Sequence, residues 1–160
     1  MPARSTSAYA FGDLLALARQ SWVGELTRRL AAVGYDGYRR SDSAAMRLLL
    51  VRGPVPVGQL GASLGVTRQA ARKVADALQQ RGYATTARDH RDARQLNVTL
   101  TPAGHDYARA IIAVIGELNR DVCQRVEPAQ LAAADAVLRC ALLDDSTRQR
   151  ASRLPRPSTV

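Results

Sequence analysis

The spacing of apolar residues divides the chain into helices and two short strands. From about Ala8 to Val33, Phe11, Leu14, Leu15, Leu17, Ala18, Trp22, Leu26 and Leu30 recur at helical spacing. The apolar face they make is wide, as in a helix covered on more than one side. Gly34 to Gly37 breaks the pattern. Ser41 or Asp42 then caps a second helix carrying Ala45, Met46, Leu48, Leu49 and Leu50, closed by Gly53-Pro54. Val55–Val57 reads as a short edge strand. Val57, Leu60 and Leu64 give a short helix, and Gly65 supplies a turn. Thr67 caps the next helix, whose apolar stripe is Ala71, Val74, Ala75 and Leu78 and whose end is Gly82.

Beyond Gly82 the period changes. Tyr83–Ala87 forms one strand, and Leu96, Val98 and Leu100 alternate with Asn97 and Thr99 in another. The tip between them runs from Asp89 to Arg94. Thr101-Pro102 opens a long helix with Tyr107, Ala108, Ile111, Ile112, Val114, Ile115, Leu118, Val122 and Val126. Glu127-Pro128 restarts it, and Leu131, Ala134, Val137, Leu138, Ala141 and Leu142 continue it. Arg148 to Val160, with two prolines, reads as a flexible tail.

A short helix, a glycine turn, a second helix and a hairpin is the order of a winged helix-turn-helix, which makes double-stranded DNA the first partner to consider. The polar face of the second helix carries Arg68, Gln69, Arg72, Lys73 and Asp76. Arg can fork onto guanine and Gln onto adenine, so Arg68, Gln69 and Arg72 suit base edges. Thr67 and Lys73 suit phosphate. On the wing, Arg88, Arg91 and Arg94 can enter a minor groove or clamp phosphates, with Asp92 holding them through ion pairs. An ordinary solvated helix face carries similar charges, so the hairpin supplies the specificity of the reading.

The tip Asp89-His90-Arg91-Asp92-Ala93-Arg94, followed by Leu96 to Gly104, resembles the wing of the multiple-antibiotic-resistance-regulator (MarR) family. That wing reads D-x-R-D-x-R, then a hydrophobic strand and a T-x-x-G helix start. Leu64 to Tyr83 is similar to the family's recognition helix. The resemblance implies a homodimeric transcription factor, usually a repressor, released by a small ligand or by oxidation. It implies a mainly α fold with a small β-hairpin wing: a single domain over 1–160, with dimerisation helices at 1–34 and 101–147, a DNA-binding lobe at 41–100 and a flexible tail at 148–160. It further implies a pseudo-palindromic operator and a small aromatic or phenolic ligand between the dimer helices and the lobe. Phe11, Trp22, Tyr38 and Tyr107 are the large aromatics in those neighbourhoods.

Charge sharpens the picture. The net charge is +9. Arg47 to His105 holds nine basic and three acidic residues, whereas Asp106 to Asp145 holds four basic and seven acidic. The positive field therefore lies on the DNA-binding half. From Ser146 onward there are four arginines and no acidic residue.

Other chemistry finds little support. The chain has no G-x-S-x-G, P-loop or H-E-x-x-H, and His90 and His105 sit on the wing tip and at a helix start. No enzyme, cofactor or metal site is expected. Cys123 and Cys140, the only cysteines, fall on or beside apolar faces and read as packing residues. The alternatives are a thiol- or metal-responsive regulator on the same scaffold, or a winged-helix protein–protein assembly module. The family's peroxide-sensing cysteine near the first helix has no counterpart, since Met1 to Thr101 contains no Cys. No secretory segment or membrane-spanning apolar run appears, which makes the cytoplasm the expected location.

Overall fold

In the computed structural model the described residues are 11–89, 92 and 94–152. The elements are α1 (Phe11–Ala32), α2 (Asp42–Arg52), β1 (Val55–Pro56), α3 (Val57–Leu64), α4 (Arg68–Gln80), β2 (Ala84–Arg88), β3 (Leu96–Leu100), α5 (Pro102–Cys123), α6 (Pro128–Cys140) and α7 (Asp145–Ala151). The chain is mainly helical, with one three-stranded antiparallel sheet in the order β1-β3-β2. Val55 pairs with Val98, and Ala84 pairs with Leu100 in a ladder that runs to Arg88 and Leu96. The hairpin and its short edge strand are thus those expected from the period-2 pattern.

The core lies under the sheet and between α2, α3, α4 and α5. Leu30, Met46, Leu49, Leu60, Leu78, Val98, Tyr107 and Ile111 are fully buried there. Truncating a side chain such as Leu60 to Ala in such a core costs about 2–5 kcal/mol. Gly61 lets α3 and α4 approach: a Cβ there would sit 3.1 Å from the Val66 carbonyl oxygen and 3.3 Å from the Ala71 Cβ. Ala62, also small, is exposed and plays no part in that crossing.

Local signals set most helix ends. Gly65 closes α3 in the left-handed region at φ 69°, where a Cβ would clash with the backbone. The Thr67 hydroxyl accepts the Ala70 N–H at 3.2 Å and caps α4. Thr101 caps α5 by accepting the Gly104 N–H at 3.0 Å, and its hydroxyl donates to the Gly82 carbonyl at 2.6 Å. Gly104 has to be glycine for space, because a Cβ would run into the Tyr83 carbonyl. Gln130 accepts the Glu127 N–H at 2.9 Å and restarts the chain as α6.

Two expectations change. Arg148 to Ala151, expected to begin a tail, belong to α7, because Asp144 caps that turn by accepting the Thr147 N–H at 2.9 Å. Of the expected tail, residues 153–160 lie outside the described residues. Neither Ser41 nor Asp42 caps α2 as expected: Ser41 makes no side-chain cap, and Asp42 is drawn into the interior.

The long helices are only partly covered. On α1 only Leu26 and Leu30 are buried, while Leu14 is 57% and Leu17 62% exposed. No residue of α6 is buried, and Val137 and Leu138 are about half exposed. Phe11, Leu14 and Leu15 of α1 face Ala134, Val137 and Leu138 of α6 across an apolar groove of about 360 Å³.

Candidate nucleic-acid interface

Helix α4 divides cleanly by exposure. Ala71, Ala75 and Leu78 are buried at the core, and Thr67, Arg68, Gln69, Arg72 and Lys73 are exposed on the other side. The apolar stripe fixes the rotation of the helix, and that rotation presents the five polar residues together. Arg72 is not free: its Nε donates to Asp76 Oδ1 at 2.8 Å, one helical turn away. Asp76 therefore orients Arg72 and competes with any other acceptor for its guanidinium.

The wing lies beside this face. Arg68 Nη2 reaches the Arg94 carbonyl oxygen at 3.4 Å, which ties the start of α4 to the base of the wing tip. Between them is an open cleft of about 380 Å³, lined by Arg68, Arg94, Asp92, Gln95 and the first residues of α3. Arg88 ends β2 and is exposed. Arg91, the third wing arginine singled out in the sequence, lies outside the described residues, as do His90 and Ala93.

The aspartates act on the tip through backbone amides. Asp92 Oδ1 accepts the Arg94 N–H at 3.0 Å, and Asp89 Oδ1 accepts the Asp92 N–H at 3.1 Å. Asp89 Oδ2 also accepts from Asn97 Nδ2 at 2.8 Å. Asp92 thus positions Arg94 through its backbone, in the manner of an Asx turn, rather than through its guanidinium. Such a turn leaves the exposed Arg94 side chain available to a partner.

Behind the face, a buried cluster holds the end of α4 in place. Asp42 is fully buried and accepts from Arg81 twice, Nη1 to Oδ2 at 2.8 Å and Nη2 to Oδ1 at 2.9 Å. The Tyr107 hydroxyl donates to Asp42 Oδ2 at 2.7 Å, and the Arg39 N–H donates to the same oxygen at 3.1 Å. The Tyr107 ring stacks on Tyr83 at 4.3 Å and leans on Tyr35 at 5.1 Å. Burial, and then donation to the Asp42 carboxylate, push the Tyr107 phenol far above its ordinary value. The hydrogen bonds to Asp42 raise Arg81 further still. The cluster joins α2, the end of α4 and α5, and single-sequence periodicity gave no sign of it.

The four aromatics proposed for a ligand pocket do not come together. Tyr107 is wholly in this cluster. Tyr38 shares a 2.7 Å hydrogen bond with Ser43. Phe11 lines the α1–α6 groove, and Trp22 lines a separate cleft of about 450 Å³ between α1 and α5. Cys123 and Cys140 are exposed in the single chain rather than packed in its interior. Among the described residues no three His, Cys, Asp or Glu side chains gather as a metal site, and no helix is long and apolar enough to cross a membrane.

A short helix, a three-residue turn, a helix with a basic outward face and an adjoining hairpin define a winged helix-turn-helix protein. Residues 37–95 match the model of the MarR family. The structure is similar to that of a probable transcriptional regulator from Pseudomonas aeruginosa, at 26% identity and TM-score 0.66 over 82% of this chain and 96% of that one. It is similar in fold to a mutant MarR from E. coli complexed with operator DNA, at 17% identity and TM-score 0.70 over 84% and 94%. Bordetella bronchiseptica BpsR, whose DNA binding is regulated by 6-hydroxynicotinic acid, matches at 20% identity and TM-score 0.68 over 84% and 94%. No curated protein matches the sequence.

Proposed function

We propose that the protein is a homodimeric, sequence-specific repressor, acting on DNA in the cytoplasm and released by a small ligand. The observation that carries the reading is the outward face of α4: Thr67, Arg68, Gln69, Arg72 and Lys73 exposed together, beside a wing that presents Arg94. Arg68, Gln69 and Arg72 read base edges, Thr67 and Lys73 hold phosphate, and Arg88, Arg91 and Arg94 act at the wing with Asp92 as organiser.

The dimer is supported by the apolar surface left open on α1 and α6. A second copy covers such surface and places two α4 helices against successive major grooves, ~34 Å apart on a pseudo-palindromic operator. That MarR from E. coli has been seen with operator DNA, and that BpsR responds to 6-hydroxynicotinic acid, support both DNA and a small aromatic effector as partners. An effector that favours one spacing of the recognition helices shifts the population away from the DNA-competent state.

The test is a fluorescence-anisotropy titration on the DNA upstream of the protein's own gene and on a scrambled control, at two salt concentrations. The reading expects preference for the upstream fragment and an affinity that falls by about 0.9 log unit per phosphate contact for each log unit of salt. Equal, weak binding to both fragments overturns it.

A further inference from the structure

Helix α7 does not run off the molecule. It folds back so that the Arg150 guanidinium lies on Gly65, the residue that closes α3 two positions before the Thr67 cap of α4. A Cβ at Gly65 would fall on Arg150 Nη1. The C-terminal segment is thereby placed at the turn of the helix-turn-helix.

Between α7, α3 and the end of α2 is an open cleft of about 400 Å³. Its polar lining is Arg52, Gln59, Ser63, Ser146, Gln149 and Arg150, and no carboxylate lines it. Ser146 already gives its hydroxyl proton to Asp144 Oδ1 at 2.6 Å, but the other five side chains carry N–H or O–H donors, and two of them are permanently cationic. Arg52 and Arg150 are exposed, and neither forms a salt bridge among the described residues. Among the described residues Arg150 donates to the neutral Thr147 hydroxyl, at 2.8 Å, and its charge helps hold the nearby Asp144 carboxyl down. Arg148, by contrast, is occupied: it donates to the Leu142 and Leu143 carbonyls and to Asp145.

Gln59 also lines the cleft between α4 and the wing. The two clefts therefore meet at Gln59, with Arg94 and Arg68 lining one and Arg52 and Arg150 the other. In sequence Arg153 and Arg156 follow, with no acidic residue after Asp145.

We infer that this cleft, built by α7 with α2 and α3, binds a DNA backbone phosphate next to the one reached by the recognition helix. The inference rests on the reading of α4 as the helix that enters DNA. The cleft lies behind the turn and off the outward face of α4 that faces base edges, so its donors meet backbone and add affinity without adding sequence preference. α7 thus enlarges the footprint of the lobe beyond the helix-turn-helix and wing.

The experiment is a salt series of anisotropy titrations on operator and scrambled DNA with the wild type, Arg150→Ala, Arg150→Lys and Arg68→Ala. Circular dichroism checks that each variant is folded. Loss of one contact from each copy of a dimer lowers the slope of log affinity against log salt by about 1.8. Arg150→Ala is expected to do this and to weaken both DNAs alike, Arg150→Lys to restore most of the slope, and Arg68→Ala to narrow the gap between the two DNAs. If the wild type prefers the operator and Arg150→Ala keeps its slope, this inference falls and the reading of α4 stands. If the wild type prefers neither DNA, both fall. A rise in Tm with inorganic phosphate that needs Arg150, together with an unchanged DNA slope, overturns it in favour of a small anion.

Discussion

Asp42 and Arg81, 39 residues apart, meet in parallel hydrogen bonds of 2.8 and 2.9 Å with the carboxylate fully buried. Arg81 is the C-cap of α4, Asp42 opens α2, and Tyr107 of α5 shares the same carboxylate. Helix α4 is therefore pinned at its far end to the helix that leads into the long C-terminal pair.

Breaking that pair leaves a buried charge uncompensated. Asp42→Ala is expected to destabilise the fold by about 3–5 kcal/mol, measured by urea unfolding. Arg81→Ala leaves the Asp42 carboxylate stranded and falls in the same range. The double variant should cost clearly less than the sum, since each single change already loses the shared interaction. Additive losses would show that the pair contributes little.

Asp76 restrains Arg72 through a 2.8 Å bridge on a half-exposed face. Asp76→Asn releases the guanidinium and removes one negative charge from the outward face of α4. Affinity for scrambled DNA should rise, and the preference for operator should shrink. Arg72→Ala should relax preference at one base position by about 1–3 kcal/mol. Competition titrations with single-base operator variants read both effects.

Asp92 acts on the wing through the Arg94 amide. Asp92→Ala should cost the fold no more than about 1 kcal/mol, the worth of an exposed hydrogen bond. DNA affinity should fall further than that loss of stability accounts for, because Arg94 is no longer held. Thermal unfolding and anisotropy on the same samples separate the two. An unchanged affinity would remove Asp92 from the wing's function.

The exposed apolar faces of α1 and α6 predict association. Leu14→Glu with Val137→Glu should convert a dimer to a monomer in light scattering, with helical circular dichroism retained. A wild type that is already monomeric at micromolar concentration would count against the dimer.

Glu25 gives a pH signature. Hydrogen bonds from Arg28 and Arg29 hold its carboxyl at about 2, below the ordinary 4.5. A depressed carboxyl contributes stability above its unfolded value and loses it as pH falls, here between about 4.5 and about 2. The Tm difference between wild type and Glu25→Gln should therefore be present at pH 6 and vanish toward pH 2. The cluster is open to solvent, so the difference should be small and should shrink further in salt.

What the sequence determined is what neighbours along the chain determine. Thr67, Gly65, Thr101-Pro102 and Glu127-Pro128 act on amides within a turn, so helix ends could be read directly. The period-2 run from Leu96 to Leu100 and the stripe from Ala71 to Leu78 could be read because burial repeats with the geometry of each element. The outward residues of α4 followed from that stripe. The tip was legible as a turn but not as a network: its charges suggested ion pairs, whereas Asp92 is spent on a backbone amide.

Tertiary structure alone decided the rest. It took Asp42 from an expected helix cap into a buried bridge with Arg81 and Tyr107, partners 39 and 65 residues away. It sent Tyr107 to the core and Phe11 and Trp22 to separate clefts, and it brought Arg150 onto Gly65. A local pattern records which face of an element is buried. It does not record which other element buries it, because that contact is set by packing the whole core at once.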